Sequence, residues 1–261
     1  MHGKGTKWYL NPDNYRRELG LAMRKTYEKL SGRPAQKWLA EQAKAWDPLF
    51  RMPVIGLLFR KYYDWKISKI GGQIIPLKDL FRVLDLSEDH VVFPCPCRRL
   101  AGEEVYTCLH FGVVKDLYTE IMPKGKAMKV VSKEEIKEQV SKFDEQGLFH
   151  LVLPLEVPYV YNVCNCDLPY CWAWRARFVY GLNHMLRKGE YVALVDQEIC
   201  EGCVQKCMTR CAFGAIRHNK FRKKAFINIQ ACFGCGLCVS ACPYGAITLV
   251  DRVITPVGGL W

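Results

Sequence analysis

Two matched runs of cysteines near the C-terminus constrain this chain more than any other feature. Tight C-x-x-C loops bring several thiolates to one inorganic core from a single turn, and their backbone N–H groups point at its sulfurs. Spacing of this kind predicts two iron-sulfur clusters with four thiolate ligands each. The runs hold eight of the fourteen cysteines, in the patterns Cys200-x2-Cys203-x3-Cys207-x3-Cys211 and Cys232-x2-Cys235-x2-Cys238-x3-Cys242-Pro243.

Each run supplies three ligands to its own cluster, and its last cysteine crosses to the other cluster, as in two-cluster arrangements. Two structural zinc sites use similar C-x2-C spacing and are the alternative. The doubled run with a crossing fourth cysteine favours iron-sulfur clusters. One cluster is assigned to Cys200, Cys203, Cys207 and Cys242, and the other to Cys232, Cys235, Cys238 and Cys211.

The segments CEGCVQKCMTRCAFGAI and CFGCGLCVSACPYGAI resemble the bacterial-type 2[4Fe-4S] ferredoxins over about residues 190–252. An internal repeat supports the resemblance, because VDQEICEGC matches INIQACFGC at an offset of 32 residues. The first run departs from the family pattern with an extra residue before Cys207 and with Ala212 where the second run has Pro243. We expect Phe213 and Tyr244, which are equivalent in the repeat, to pack over the clusters and exclude water.

Six further cysteines lie in the middle of the chain. In an extended strand, residues two apart face the same side and lie roughly 6.5 to 7 Å apart, so each C-x-C pair can present two sulfurs to one core. We expect Cys108 and Cys171 to close the site from flanking loops, and the neighbouring prolines to deny these segments regular helix. The six are Cys95, Cys97, Cys108, Cys164, Cys166 and Cys171.

Six thiolates exceed the four that a cubane uses, so three interpretations stay open: a third [4Fe-4S] cluster with two spare cysteines, a larger or non-cubane cluster, and a structural zinc site. The motifs PCPCRR, SKEEIKEQVSKFDEQGLFH and CNC-x4-C resemble cysteine-rich modules that precede dicluster ferredoxin domains in proteins of anaerobes. That resemblance implies redox partners only.

Charged residues near the middle cysteines have two interpretations. Arg98, Arg99, Arg175 and Arg177 either stabilise a reduced, more negative cluster or are solvated surface arginines. His110, two residues after Cys108, is expected to be a hydrogen-bonded neighbour and is left out of the ligand set.

The chain is basic, with a formal net charge of +12, and the excess lies mainly at the N-terminus. Residues 1–70 hold fifteen Lys or Arg against six Asp or Glu. An amphipathic helix is predicted over Asn14 to Leu30 and a second, short helix over Ala35 to Trp46. This basic arm is expected to dock an acidic redox partner or the subunits of an oxidoreductase, by steering that weakens with salt.

The most apolar stretch of the arm is too short to span a bilayer, since its uncharged core runs only from Met52 to Phe59. We expect it to be buried against its own domain or a partner protein. Peripheral membrane contact through residues 48–65 is the alternative, because basic and aromatic residues flank the apolar core. No apolar signal segment follows the charged N-terminus, and the cysteines suit metal binding. The expected location is therefore the reducing cytoplasm. Peripheral attachment to the inner membrane surface is the alternative.

Between the two C-x-C pairs, Ser132 and Glu135 form a capping box for a helix that runs to about Gln146 and stops at Gly147. A strand, Leu148 to Leu153, follows. A helix, a glycine and a strand also occur in winged-helix DNA readers. Lysines and acids alternate on this helix, however, which is typical of a solvated face and disfavours nucleic-acid binding.

Together these patterns predict an α+β chain: a basic helical arm, a cysteine-rich mixed domain with a third metal site, a pseudo-twofold ferredoxin-like dicluster domain and a tail. The predicted function is electron transfer through two [4Fe-4S] clusters and a third cluster to a partner oxidoreductase. The alternative is an iron-sulfur reductase whose six-cysteine middle site is catalytic. The predicted bounds are 1–70, 71–189, 190–252 and 253–261.

Overall fold

The computed structural model describes most of the chain and supports the α+β class, with helices and one large mixed sheet. The described residues are 5–22, 24, 48–50, 52–121, 128–154, 157–203 and 205–259. The helices are α1 (Arg17–Ala22), α2 (Ile55–Ile67), α3 (Leu77–Leu86), α4 (Pro96–Arg99), α5 (Val114–Ile121), α6 (Lys133–Gln146), α7 (Trp172–Phe178), α8 (Gln205–Thr209) and α9 (Leu237–Ser240). The strands are β1 (Gly72–Ile75), β2 (Val91–Pro94), β3 (Tyr106–His110), β4 (Lys129–Val130), β5 (Phe149–Pro154), β6 (Val160–Cys166), β7 (Leu186–Arg187), β8 (Tyr191–Val195), β9 (Ile216–Asn219), β10 (Lys224–Ile227) and β11 (Ile247–Asp251).

Seven strands form the large sheet, in the order β4-β2-β3-β6-β5-β1-β7. The pairings are antiparallel except for β1 with β7, which is parallel. One row of directly paired residues crosses five strands: Phe93, Cys108, Cys164, Leu151 and Ile74. Because paired residues share a face, this row sets which side of the sheet carries the middle cysteines.

The opposite face of the sheet is the main apolar core. The alternating residues, among them Val92, Leu109 and Val163, pack there against α3 and α6. The N-terminal segment contributes as well, because Trp8 and Tyr9 are buried in the same cluster. Trp8 and Tyr9 therefore anchor the N-terminal segment to the core of the sheet.

Helix α6 forms as its sequence predicts. Ser132 caps it through the backbone N–H of Glu135, and the Glu135 carboxylate accepts from the Ser132 N–H in return. Gly147 ends the helix in the left-handed conformation, and Ile136, Val140 and Phe143 are buried. The predicted strand follows as β5. Of the predicted helix over Asn14 to Leu30, the structure has a 3-10 turn at Pro12–Tyr15 and α1; the rest, except Arg24, and the predicted helix over Ala35 to Trp46 lie outside the described residues.

Helix α2 contains the apolar stretch of the arm and corrects one expectation. Burial against its own domain is wrong for much of this stretch, because Val54 is 73% exposed and Leu58 is 64% exposed. Trp65, on the same helix, is 68% exposed. Among the described residues, no helix is long and apolar enough to cross a membrane.

Two small antiparallel sheets organise the C-terminal part. Strand β8 pairs with β11, so the two ends of this part lie side by side. Strands β9 and β10 form a hairpin between the two cysteine runs. Each cysteine run is followed by a short strand, as the internal repeat predicts.

Candidate metal centres

The first cysteine cavity lies between the loop that precedes α8 and the loop that follows α9. Pro243, Tyr244 and Ile247 contribute to its wall. Helix α8 carries Cys207, and the residues after α9 supply the last cysteine from the other run. The cysteines that line this cavity are Cys200, Cys203, Cys207 and Cys242.

The second cavity is enclosed by the second run and one cysteine of the first. Phe213 and Phe233 form its aromatic wall. Its cysteines are Cys211, Cys232, Cys235 and Cys238. The structure thus brings together the same two sets of four cysteines that the crossed assignment names, while their role as ligands stays a prediction.

A glycine shapes each C-x-x-C loop. Gly202 lies between Cys200 and Cys203, and Gly234 lies between Cys232 and Cys235; both have positive φ, at +74° and +73°. Glycine adopts this conformation without steric cost. The turn directs N–H groups at sulfur: the Gly234 N–H and the Ala193 N–H each donate to Cys232 Sγ at 3.4 Å.

Three of the eight thiols in the two cavities are poor candidates for bare thiolates. Burial raises the pKa of Cys207, Cys235 and Cys238, because a charged sulfur loses hydration there. A cationic metal core reverses this effect by replacing the proton with a bonded positive charge. Four thiols gathered in each cavity therefore fit an iron-sulfur cluster chemically.

The six middle cysteines come together on one face of the large sheet. Cys108 in β3 pairs directly with Cys164 in β6, and Cys166 ends the same strand. The expectation for Cys164-Asn-Cys166 therefore agrees with the structure. Two expectations were wrong: Cys108 lies in a strand and not in a loop, and the Cys95–Cys97 pair is not extended.

Cys95 is instead the N-cap of α4, with Pro96 at the first helical position and Cys97 inside the helix. Proline has no N–H to lose at that position and its φ suits a helix, so it starts this helix where we expected it to prevent one. Cys171 is the N-cap of α7, and there the side chain itself caps the helix, because its Sγ accepts from the Trp174 N–H at 3.4 Å.

Electrostatic interactions link all six thiols. Cys95 interacts with Cys97, Cys108 and Cys166. Cys166 interacts with Cys171, which in turn interacts with Cys97, so Cys95, Cys97, Cys171 and Cys166 form one ring of four. Cys108 interacts with Cys164, and these two strand cysteines form a lateral pair beside that ring; together with Cys95 and Cys166 they also form a second set of four.

Charge in this cluster concentrates on one sulfur. Hydrogen bonds from Cys108, Cys166 and Cys97 lower the pKa of Cys95 far below its usual range. The pKa of each donor is raised, with hydrogen bonds to neighbouring thiols as the largest cause. Six thiols at such close range cannot all ionise without a cationic centre to hold them.

The arginines near the middle site are not all solvated. Arg98 is largely buried and binds Glu103 and Asp167, each at 2.7 Å. Arg177 donates to the Leu186 carbonyl at 2.6 Å and lies over the Phe233 ring. The solvated interpretation is therefore wrong for these two arginines.

His110 does not show the hydrogen bond expected for it: its Nδ1 is buried without a partner among the described residues, and burial lowers its pKa to about 3. The Phe93 and Tyr161 rings pack edge-on against it.

Tyr244 also differs from expectation, since it lines the first cavity but is 52% exposed.

One apolar cluster joins the middle site to the second cavity. Cys166 and Cys171 are buried in it together with Cys235 and Phe233. The Phe213 and Phe233 rings stack at 4.2 Å between centroids, with an interplanar angle of 14°. Phe213 therefore covers the second cavity, as expected from the repeat.

A buried polar chain that we did not predict connects the same two regions. Ser240, between Cys238 and Cys242, donates to Asp144 Oδ2 at 2.6 Å. His150 Nε2 lies 3.5 Å from Asp144 Oδ1, and its Nδ1 is 2.7 Å from Asn165 Oδ1, between Cys164 and Cys166. In the sequence, the only sign of this polar chain was that a polar residue, Ser240 or Asn165, lies between two cysteines in each region.

With this geometry in view, the C-terminal region can be compared with known proteins. Residues 199–247 match the 4Fe-4S dicluster domain. This part of the chain is an iron-sulfur cluster domain. The match does not extend to the sheet domain that precedes it.

Curated relatives share this part only. An uncharacterized ferredoxin of Methanocaldococcus jannaschii is 36% identical over 69 residues, which cover 26% of this chain and 38% of the relative. A component of the ion-translocating oxidoreductase complex of Methanosarcina acetivorans is 44% identical over 62 residues, or 24% of this chain and 22% of the relative. A probable iron-sulfur protein of the Frd operon of Proteus vulgaris is 39% identical over 57 residues, or 22% and 35%. The chain thus spans less than two fifths of each relative.

Proposed function

We propose that the protein relays electrons through two [4Fe-4S] clusters to a partner oxidoreductase. The observation that carries this proposal is the pair of buried cavities, each lined by four cysteines, within the residues that match the dicluster domain. When bound, such clusters supply one-electron oxidation and reduction. The names of two relatives describe iron-sulfur or oxidoreductase-complex components, which supports a role within a larger complex.

The chain's own residues tune the second centre. Backbone N–H groups donate to Cys232 Sγ in the second cavity, and the Ala215 N–H donates to Cys211 Sγ at 3.2 Å. Such bonds stabilise negative charge on sulfur and raise the reduction potential. Phe213 and Phe233 exclude water from the second cavity, whereas the first cavity has the exposed Tyr244 at its wall. We therefore expect electrons to enter or leave at the first cavity.

We further propose that the middle site holds a third iron-sulfur cluster. The four-membered ring of thiols supports this, because a cubane needs four ligands from several directions and the ring draws on α4, the end of β6 and the N-cap of α7. The lateral pair, Cys108 and Cys164, then remains protonated beside the centre. The ring cysteines are Cys95, Cys97, Cys166 and Cys171.

The apolar cluster shared by Cys166, Cys171 and Cys235 supports an order for the three centres. The middle site adjoins the second cavity, and the second cavity is joined to the first through the interleaved cysteine runs. The relay therefore runs from the first cavity through the second to the middle site, or in reverse.

Metal analysis and paramagnetic resonance of the anaerobically reduced protein test the proposal. Three cubanes require about twelve irons per chain and two require about eight. About eight irons together with zinc refutes redox chemistry at the middle site, and fewer than eight in a fully loaded sample refutes the two-cluster relay.

Serine substitutions distinguish the ring from the lateral pair. Cys97→Ser and Cys171→Ser should each lose the middle-site signal and about four irons. Cys164→Ser is the matched control, since it lies in the same pocket and should retain both. Loss of the signal in all three variants contradicts the ring and favours a larger cluster held by more than four thiolates.

The lateral pair supports a second candidate function, a reductase with the middle site as its catalytic centre. Two thiols beside a four-ligand centre can carry protons that a substrate reduction consumes. A small molecule that changes only the middle-site resonance, with the C-terminal signals unaltered, would favour this function over the relay.

The partner is expected to be acidic, because the N-terminal arm is strongly basic. Deleting residues 1–70 is not a clean test, since Trp8 and Tyr9 belong to the core. Replacing Lys61 and Lys66, which are exposed on α2, by glutamate tests the arm without removing core residues. If the arm docks the partner, electron transfer to an acidic acceptor protein should slow at low salt.

A further inference from the structure

The iron-sulfur domain contains a long stretch without carboxylates. Between Gly202 and Val250 there are seven Lys or Arg and no Asp or Glu. Five of the seven cations fall within residues 217–224, in the β9–β10 hairpin that separates the two cysteine runs. The five are Arg217, Lys220, Arg222, Lys223 and Lys224.

The hairpin presents these charges to solvent around one apolar side chain. Arg217, Lys220, Arg222 and Lys223 are exposed, and in the described part of the chain no carboxylate pairs with them. Phe221, at the turn, is 98% exposed. A fully exposed phenylalanine among such cations is unfavourable in water and is typical of a contact surface.

The hairpin is fixed to the rim of the first cavity. A Cβ placed on Gly202, between Cys200 and Cys203, would lie 2.2 Å from the Lys223 carbonyl oxygen, so the two backbones touch. Gln197 Nε2 donates to the Ala225 carbonyl at 2.9 Å, and Lys224 Nζ donates to the Gln197 carbonyl. Cys203 and Cys242, on the same cavity, are only partly buried.

We propose that this hairpin, with Phe221 at its tip, is the docking surface for an acidic electron-transfer protein. The inference rests on the proposed relay function and names the face at which electrons cross. Five cations steer an acidic partner to the hairpin, and the hairpin holds it beside the partly buried Cys203 and Cys242. Phe221 supplies the apolar contact that a protein surface can bury.

A single-stranded nucleic acid is also acidic and stacks on aromatic side chains. The contact of the hairpin with the rim of the first cavity favours a protein as the partner. An electron acceptor that docks there lies close to the proposed first cluster, which shortens the path for electron transfer, whereas a nucleic acid has no use for that proximity. Binding of an RNA oligonucleotide is therefore measured beside electron transfer.

The experiment measures electron transfer from the anaerobically reduced holoprotein to two acceptor proteins, acidic flavodoxin and basic cytochrome c, by stopped flow. One electron leaves a reduced centre; the flavin gains it with one proton from solvent, or the haem iron passes from the ferric to the ferrous state. We expect the rate to flavodoxin to fall as ionic strength rises, and the rate to cytochrome c to rise or stay flat.

The decisive variant carries Lys220→Glu, Arg222→Glu and Lys223→Glu. At about 0.1 M salt, where the Debye length is about 10 Å, it should transfer electrons to flavodoxin at least about tenfold more slowly than the unmodified protein and to cytochrome c faster. The matched control carries Arg82→Glu, Lys129→Glu and Lys142→Glu, three exposed cations outside both the arm and the hairpin, with the same total change in charge. At the same salt its rates should stay within about twofold of the unmodified protein, since charges beyond a Debye length are screened.

The outcomes separate this inference from the function on which it rests. Transfer to neither acceptor, in protein with full iron content, refutes the relay function. Transfer to both acceptors with equal effects of the two triple variants refutes the hairpin as the docking face. Tight binding of a single-stranded RNA oligonucleotide at about 0.15 M salt, lost in the hairpin variant, assigns the surface to nucleic acid and also refutes the inference. Iron content of the variants confirms that the clusters are intact.

Discussion

Adding one methyl group to the C-x-x-C loops should damage the two cluster sites unequally. A Cβ on Gly234 would lie 2.2 Å from the Tyr191 carbonyl oxygen, and a Cβ on Gly202 would lie 2.2 Å from the Lys223 carbonyl oxygen. Both contacts are with backbone, which cannot rotate away. Tyr191 is buried in β8, however, whereas Lys223 lies in an exposed turn that has room to move. Gly234→Ala should therefore be the more harmful change.

Two other glycines serve as controls, because alanine there meets only the energetic cost of the left-handed backbone conformation and no steric clash. Gly214 and Gly245 have positive φ, at +61° and +67°, but a Cβ on either would have nothing within 4 Å. Alanine there costs about 1–2 kcal/mol for the left-handed conformation. Forcing a methyl group into a packed site adds about 1–3 kcal/mol. Gly234→Ala should thus destabilise the protein by about 2–5 kcal/mol in all.

The assay is the rate at which each holoprotein loses its visible cluster absorbance in a fixed concentration of denaturant. The packing term of about 1–3 kcal/mol separates Gly234→Ala from Gly214→Ala. Since 1.4 kcal/mol corresponds to about tenfold, Gly234→Ala should lose its clusters at least about fivefold faster than Gly214→Ala. Gly202→Ala should lie between them. Equal rates for all four variants would refute the steric reasoning, and greater damage from Gly202→Ala would refute the ranking by neighbour mobility.

The remaining predictions concern ligands, charge and packing. Cys242→Ser should remove the resonance of the first centre although it belongs to the second run, and Cys211→Ser should remove that of the second; the reverse pattern contradicts the crossing. Because burial raises the pKa of Glu190, its contribution to stability should fall as the pH rises from the unfolded pKa through the raised folded one. Glu190→Gln should abolish that part of the pH profile of denaturant unfolding. Trp8→Ala should cost about 3–5 kcal/mol in the same assay, while Phe221→Ala, with no buried contacts to lose, should leave the unfolding midpoint unchanged.

The local features of the chain could be predicted from its sequence because their causes are local. Ser132, Glu135 and Gly147 define α6 through contacts within a few residues. The strands that follow the two cysteine runs likewise follow from the internal repeat. For α6 the deciding hydrogen bonds join residues close in sequence.

The predictions that were wrong or missing have two causes. One residue type can have opposite effects on helix formation, and contacts with segments distant in sequence can determine which residues are buried. A proline prevents helix inside a segment but can start a helix at the first helical position. The sequence around Pro96 allows either role, and only the position of β2 shows that Pro96 starts a helix here. Burial of Trp8 depends on Gln73, whose side chain accepts its indole N–H from 65 residues away. No periodicity in the N-terminal segment predicts a partner so distant in sequence.

The thiol ring also depended on tertiary structure. The spacing of Cys164 and Cys166 predicted a shared face, but the sequence did not indicate that Cys108 would pair with Cys164 and leave the ring to the helix caps. That distinction requires the order of the strands in the sheet.

The interleaving of the two cysteine runs has a consequence for biosynthesis. The first cavity takes three cysteines from one run and Cys242 from the next, and the second cavity takes Cys211 from the earlier run. During translation, therefore, the first cavity stays open on one side until Cys242 has left the ribosome. Strand β11, which joins β8 to close this part, is made later still. If the two cavities hold the proposed clusters, neither can receive its full set of thiolate ligands until both runs have been synthesised, so the thiols of the first run wait unligated for those of the second.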